Sequence, residues 1–153
     1  LKIKNKMKRQ IKFRAKYLNS NEWIYGYLIN DGTRFNILYQ DESLLTQIIN
    51  VDPNTICEFT NQFDANGKEI YEGDFYREEN GTERGDERTY FVCVFLKELS
   101  RFAWLSAEEK FEYETTSDME DFLDTEMGMI EKYSRMIKVI GNTIDNPNKL
   151  DNA

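Results

Sequence analysis

Apolar and polar residues alternate near the start of this chain. Ile11, Phe13, Ala15 and Tyr17 are separated by Lys12, Arg14 and Lys16. A period of two marks a strand with one buried face. Residues 19–21 read as a turn. Trp23, Tyr25, Tyr27 and Ile29 then share one face of a second strand, with Ile24, Gly26 and Leu28 on the other. Asp31 and Gly32 supply the positive φ of a tight hairpin, and residues 35–40 return as a third strand. Leu44, Leu45, Ile48 and Ile49 have the spacing of a short helix, stopped by Asp52, Pro53 and Asn54.

Residues 55–59 read as a strand, Asn66 and Gly67 as a hairpin turn, and residues 70–76 as a further strand. Gly73 interrupts that strand and predicts a bulge or bend. Residues 77–88 contain no side chain fit for a core and predict a solvated hairpin tip. Residues 90–96 are apolar without alternation, so both faces are expected to be covered. Phe102 and Trp104 belong to a short strand. Residues 110–115 alternate again, with Phe111 and Tyr113 against Lys110, Glu112 and Glu114.

Ser117 and Glu120 form a capping box. It opens a predicted helix over 118–131, with Met119, Phe122, Leu123, Met127 and Ile130 on one stripe. Residues 136–140 read as a closing strand, followed by a turn at Gly141. Many short strands and one short amphipathic helix late in the chain predict a mainly β, β-rich α+β fold.

Composition sharpens this. Hydrophobic residues make up 40% of the 153 and aromatics 14%, enough for a core. The net charge is −8, but residues 1–16 hold eight Lys/Arg and no acid. The remaining 12 basic against 28 acidic residues leave −16. Lys8, Arg9, Lys12, Arg14 and Lys16 are therefore the candidate contacts for nucleic acid or another partner. The competing reading is internal neutralisation by the acidic body, which itself repels phosphate. No apolar run nears the roughly 20 residues of a membrane span. Cys57 and Cys93 are expected to be buried small hydrophobes.

The chain has no histidine. That removes the usual general base, the Ser-His-Asp and Cys-His systems and the common zinc sets. No phosphate-cradling Gly-rich run is present. Asp64, Asn66, Glu69, Glu72 and Asp74 invite a metal site, but an EF-hand loop begun at Asp64 places Glu69 where glycine is required. Glu108, Glu109 and Lys110 offer a Glu-x-Lys fragment of the kind found in nuclease cores. The acidic stretch 118–131 suits either a solvated helix face or a phosphate-mimicking surface. No catalytic, cofactor or metal residue is assigned.

Three blocks resemble the YopX family of phage and prophage proteins. They lie within residues 11–29 (IKFRAKYLNSNEWIYGYLI), 57–76 (CEFTNQFDANGKEIYEGDFY) and 139–147 (VIGNTIDNP). The matching positions include Phe59, Thr60, Asp64, Asn66, Gly67, Gly73, Asp74, Gly141 and Asn142. The chain departs at Asn61, Gln62 and Phe63, where the family has a Gly-containing turn. The resemblance begins near Met7, so residues 1–6 are expected to be an extension. It implies an N-terminal β-hairpin region (7–50), a Src-homology-3-like (SH3-like) small barrel (51–150) and a tail (151–153). It supplies no catalytic residues. Gly32, Asn66, Gly67, Gly73 and Gly141 are expected at structural turns. The expected role is a non-catalytic interaction module, cytoplasmic in a bacterial host, binding a host or phage protein or a second copy. Nucleic-acid association is the alternative, and a small metal-dependent phosphodiesterase the third.

Overall fold

A computed structural model describes residues 9–79, 88–115 and 130–149. The chain divides into two compact units, with the boundary between Asn61 and Gln62. The expected boundary after residue 50 falls inside the first unit, because the strand beginning at Cys57 pairs with the first strand.

The first unit is an antiparallel sheet of β1 (Phe13–Lys16), β2 (Trp23–Asn30), β3 (Phe35–Gln40), β4 (Thr46–Asn50) and β5 (Cys57–Phe63), whose end crosses the boundary. The strand order is β4-β3-β2-β1-β5. Leu28, Ile37 and Ile49 lie opposite one another across three strands. They join Ala15 and Val51 in a core with Phe13, Ile24 and Phe35 against it. Residues 41–50 are not helical. Asp41 accepts backbone N–H bonds from Ser43 and Leu45 at 2.9 and 3.0 Å and makes a turn. Ile49 then enters the core while Ile48 faces out, an alternation only a strand provides.

The second unit holds β6 (Glu69–Tyr71), paired with the end of β5, and a sheet of β7 (Asp74–Glu79), β8 (Arg88–Leu96), β9 (Arg101–Ser106) and β10 (Gly141–Asn142). The order β10-β7-β8-β9 is open, and among the described residues no pairing closes it. The expected small barrel is therefore replaced by open antiparallel sheets. The single strand read over 70–76 is two strands, because Glu72 and Gly73 turn the chain between β6 and β7. Part of the expected 77–88 tip is strand: β7 and β8 pair as far as Glu79 and Arg88, and residues 80–87 lie outside the described residues.

Residues 110–115 are also corrected. They belong to α1 (Ala107–Thr115). Its start is a capping box: the Ser106 hydroxyl accepts the Glu109 N–H at 3.2 Å, and the Glu109 carboxylate accepts the Ser106 N–H at 2.6 Å. Phe111 is exposed, so its alternation with charged neighbours never reported a buried face. The predicted helix 118–131 and its Ser117 box lie almost wholly outside the described residues. Its end coincides with α2 (Ile130–Tyr133). Residues 136–140 form no strand. They make isolated bonds, including Ile140 N–H to the Phe75 carbonyl at 3.0 Å and Ala65 N–H to the Ile137 carbonyl at 2.9 Å. The core of this unit is Ile70, Cys93, Phe102, Trp104 and Ile130.

Candidate functional site

The basic strand comes first. Lys8 lies outside the described residues. Arg9 pairs with Glu58 at 2.7 Å. Lys12 holds its ammonium 5.8 Å from the Tyr25 ring centroid and 5.9 Å from that of Phe59. The Arg14 guanidinium lies 4.6 Å from the Trp23 centroid and is only 4% exposed. Lys16 approaches the same ring at 5.5 Å. Register explains the set: Arg14 lies opposite Tyr25, and Lys16 opposite Trp23, on β1 and β2. These cations are engaged by aromatic faces of their own unit.

Among the acids that invite a metal site, Asp64 and Asp74 serve backbone N–H groups instead. Asp64 is buried, and its Oδ1 accepts N–H bonds from Asn66 and Lys68 at 2.8 and 2.9 Å. Its Oδ2 accepts from Val139 at 3.1 Å. Burial raises its pKa, but the N–H bonds from Lys68, Val139 and Asn66 prevail and hold the carboxyl below its usual range. Asp74 accepts the Tyr71 N–H at 2.9 Å. No group of three or more metal-ligating side chains occurs among the described residues. The Glu-x-Lys fragment sits on α1, where Lys110 pairs with Glu114 at 2.5 Å.

Gly32, Gly67 and Gly73 all have positive φ, and Asn66 lies in the Asp64–Lys68 turn. Gly73 is fixed further: its N–H meets the Cys93 carbonyl at 2.8 Å and its carbonyl the Thr143 N–H at 2.9 Å. Gly141 is not a turn residue. It lies in β10, where a Cβ would come within 2.5 Å of the Phe75 ring, so it permits close packing. The departure at Asn61 has its own solution. Asn61 adopts φ +62°, and its amide side chain clamps the Gln10 backbone, accepting at 2.6 Å and donating at 2.9 Å.

The second unit also contains a pocket of about 580 Å³ that no sequence pattern announced. Tyr76, Phe91, Trp104 and Tyr133 supply its rings, with Met136 and Ile137 beside them. Arg77, Glu78, Glu109 and Lys138 complete the lining. Tyr76 stacks on Phe91 at 5.2 Å and meets Trp104 edge-on at 5.0 Å. Strand pairing makes this cluster: Tyr76 lies opposite Phe91, Phe91 opposite Ser106, and Trp104 opposite Cys93. Trp104 is 1% exposed, and its indole N–H has no partner among the described residues. Burial, with the charges of Glu78, Tyr133 and Glu109, pushes the Tyr76 phenol up to about 12. Asp64 fixes the opposite wall, because its bond to Val139 holds the extended segment carrying Ile137 and Lys138. Ser106 and Glu109 form the one local signal in the sequence that touches this site.

A family model described as YopX protein matches residues 12–151. The chain belongs to the YopX family. The match spans Asp64, Gly73, Gly141 and every residue lining the pocket. Among solved structures, this YopX chain resembles protein EF1440 from Enterococcus faecalis. The TM-score is 0.51 at 21% identity, covering 92% of this chain and 98% of the other. That likeness concerns the fold. No curated protein matches the chain. Among the described residues no helix is long and apolar enough to cross a membrane.

Proposed function

We propose that this protein is a phage- or prophage-encoded accessory protein that works in the bacterial cytoplasm as a non-catalytic protein-interaction module. The observation that carries the reading is the aromatic pocket of about 580 Å³ on the second sheet. It has the size and the mix of rings and charged groups of a recognition site. Self-association has separate support. β4 is an edge strand without a charged residue, and Leu44, Leu45 and Ile48 are exposed on or beside it. The basic strand supports nucleic-acid binding less well, since Arg14 is buried over Trp23.

The test compares the wild-type chain with Met136→Arg as baits in bacterial lysate, alongside light scattering. Met136 lines the pocket and is 74% exposed, so the change leaves the core intact. A defined partner lost on substitution is the expected result. A strict monomer that retains no partner would sink the reading.

A further inference from the structure

We infer that the pocket formed by Tyr76, Phe91, Trp104 and Tyr133 receives a lysine or arginine side chain from a partner protein. The inference rests on the interaction-module reading and names the chemistry of the partner.

The rings supply the first argument. Aromatic faces attract a desolvated cation through their quadrupole. In the first unit this attraction is already satisfied, with Arg14 and Lys16 at Trp23 and Lys12 at Tyr25. In the second unit Lys132 stands 5.5 Å from the Tyr133 centroid. Over Tyr76, Phe91 and Trp104 no cation is found among the described residues.

The carboxylates supply the second. Glu78 follows Tyr76 by two positions along β7 and shares its face. Glu109 is held by the capping box at Ser106, directly opposite Phe91. Arg77 also lines the pocket, but it occupies the alternate position, paired with Tyr90, so its Cβ leaves from the other face of β7. Lys138 is then the cation among the lining residues that stands against two acids. On the face of β7 that carries Tyr76, the Glu78 and Glu109 carboxylates stand against the Lys138 ammonium, and both carboxylates, after burial, help raise the Tyr76 phenol. Burial opposes any charge there, but the two carboxylates that oppose a phenolate favour an ammonium or guanidinium in its place. Its volume of about 580 Å³ exceeds one side chain and accommodates flanking backbone, which favours a protein segment over a small amine.

The test uses the full chain carrying Trp23→Phe, so that Trp104 is the remaining indole. It is titrated with a capped Gly-Ser-Lys-Ser-Gly peptide, its arginine counterpart and its uncharged norleucine counterpart. Saturable change in Trp104 emission is expected with the first two and not with the third. The double variant Glu78→Gln/Glu109→Gln should weaken binding at least about tenfold, while Gln at 109 preserves the cap. Met136→Arg should do the same by placing a cation at the rim. Equal binding of the norleucine peptide overturns the inference, as does unchanged affinity in the double variant. So does preferential binding of an oligonucleotide at the pocket. Failure of every peptide overturns it too; a lysate partner lost on Met136→Arg would then leave the module reading standing.

Discussion

Two regions of this molecule combine charge with aromatic rings, and they do so in opposite ways. Across β1 and β2, Lys12, Arg14 and Lys16 lie over Tyr25 and Trp23 in a cross-strand ladder that completes itself. Across β7, β8 and β9, Tyr76, Phe91 and Trp104 are flanked by Glu78 and Glu109 and line an open volume. The first arrangement converts a conspicuous basic sequence into internal packing. The second builds a lined pocket from residues that no run of sequence advertises. Density of charge in the chain is thus a poor guide to where charge is available.

The contrast can be broken by substitution. The largest expected effect is at Trp104, buried at the floor of the pocket: Trp104→Ala should cost about 4 kcal/mol in urea unfolding. Trp23→Ala, by contrast, should cost only about 1 kcal/mol, the scale of a partly exposed cation–π contact. Equal losses would show that the two clusters have the same structural weight.

Asp64→Ala should cost roughly 3 kcal/mol, because three half-buried N–H bonds lose their charged acceptor. It should also loosen the pocket wall at residues 137–139, visible as faster amide exchange at Val139. The pH dependence follows from the lowered folded pKa. The contribution is full above the unfolded carboxyl value. It is lost as pH falls through the folded one. The gap between wild type and variant should therefore begin to narrow only as pH falls below about 4, and go on narrowing through the lowered folded value.

Gly73→Val should cost about 2 kcal/mol, since φ is +80° and a Cβ would sit 2.8 Å from the Thr143 hydroxyl. An unchanged melting temperature would contradict that geometry. The smallest effect expected is at Met136→Arg, within about 0.5 kcal/mol of wild type. A larger loss would mean that the pocket rim is part of the core.

Much of the first unit was legible. On β2 Gly26 and Leu28 turn inward while Tyr25 and Tyr27 stay exposed, so a period of two survives there, and on β1 Ala15 is buried on the same side although Arg14 is covered too, by Trp23. The Asp31–Gly32 and Asn66–Gly67 turns were equally plain, because positive φ restricts residue choice. β4 was misread because Leu44 and Leu45 belong to a turn and are exposed, which imitates helical spacing. α1 was misread because Phe111 and Tyr113 stand two apart on a helix that buries no residue. The Ser106–Glu109 box is present in the sequence, but the same pattern recurs at Ser117 and Glu120 before a longer apolar stripe and masks it. The open sheets were not legible, since closure depends on strand order rather than on any strand's own pattern. The pocket was illegible for a related reason: its rings come from three strands and a helix and meet only through register.

Tyr76 carries an optical consequence. Phenolate absorbs near the ultraviolet edge where phenol does not, so alkaline titration counts tyrosines as they ionise. With its proton held to about 12, Tyr76 should be a straggler in that titration, changing colour after ordinary tyrosines have done so. A bound guanidinium, still charged at that pH where an ammonium is not, would advance it by stabilising the phenolate. The protein therefore contains its own reporter for the occupancy of the pocket, readable without a label.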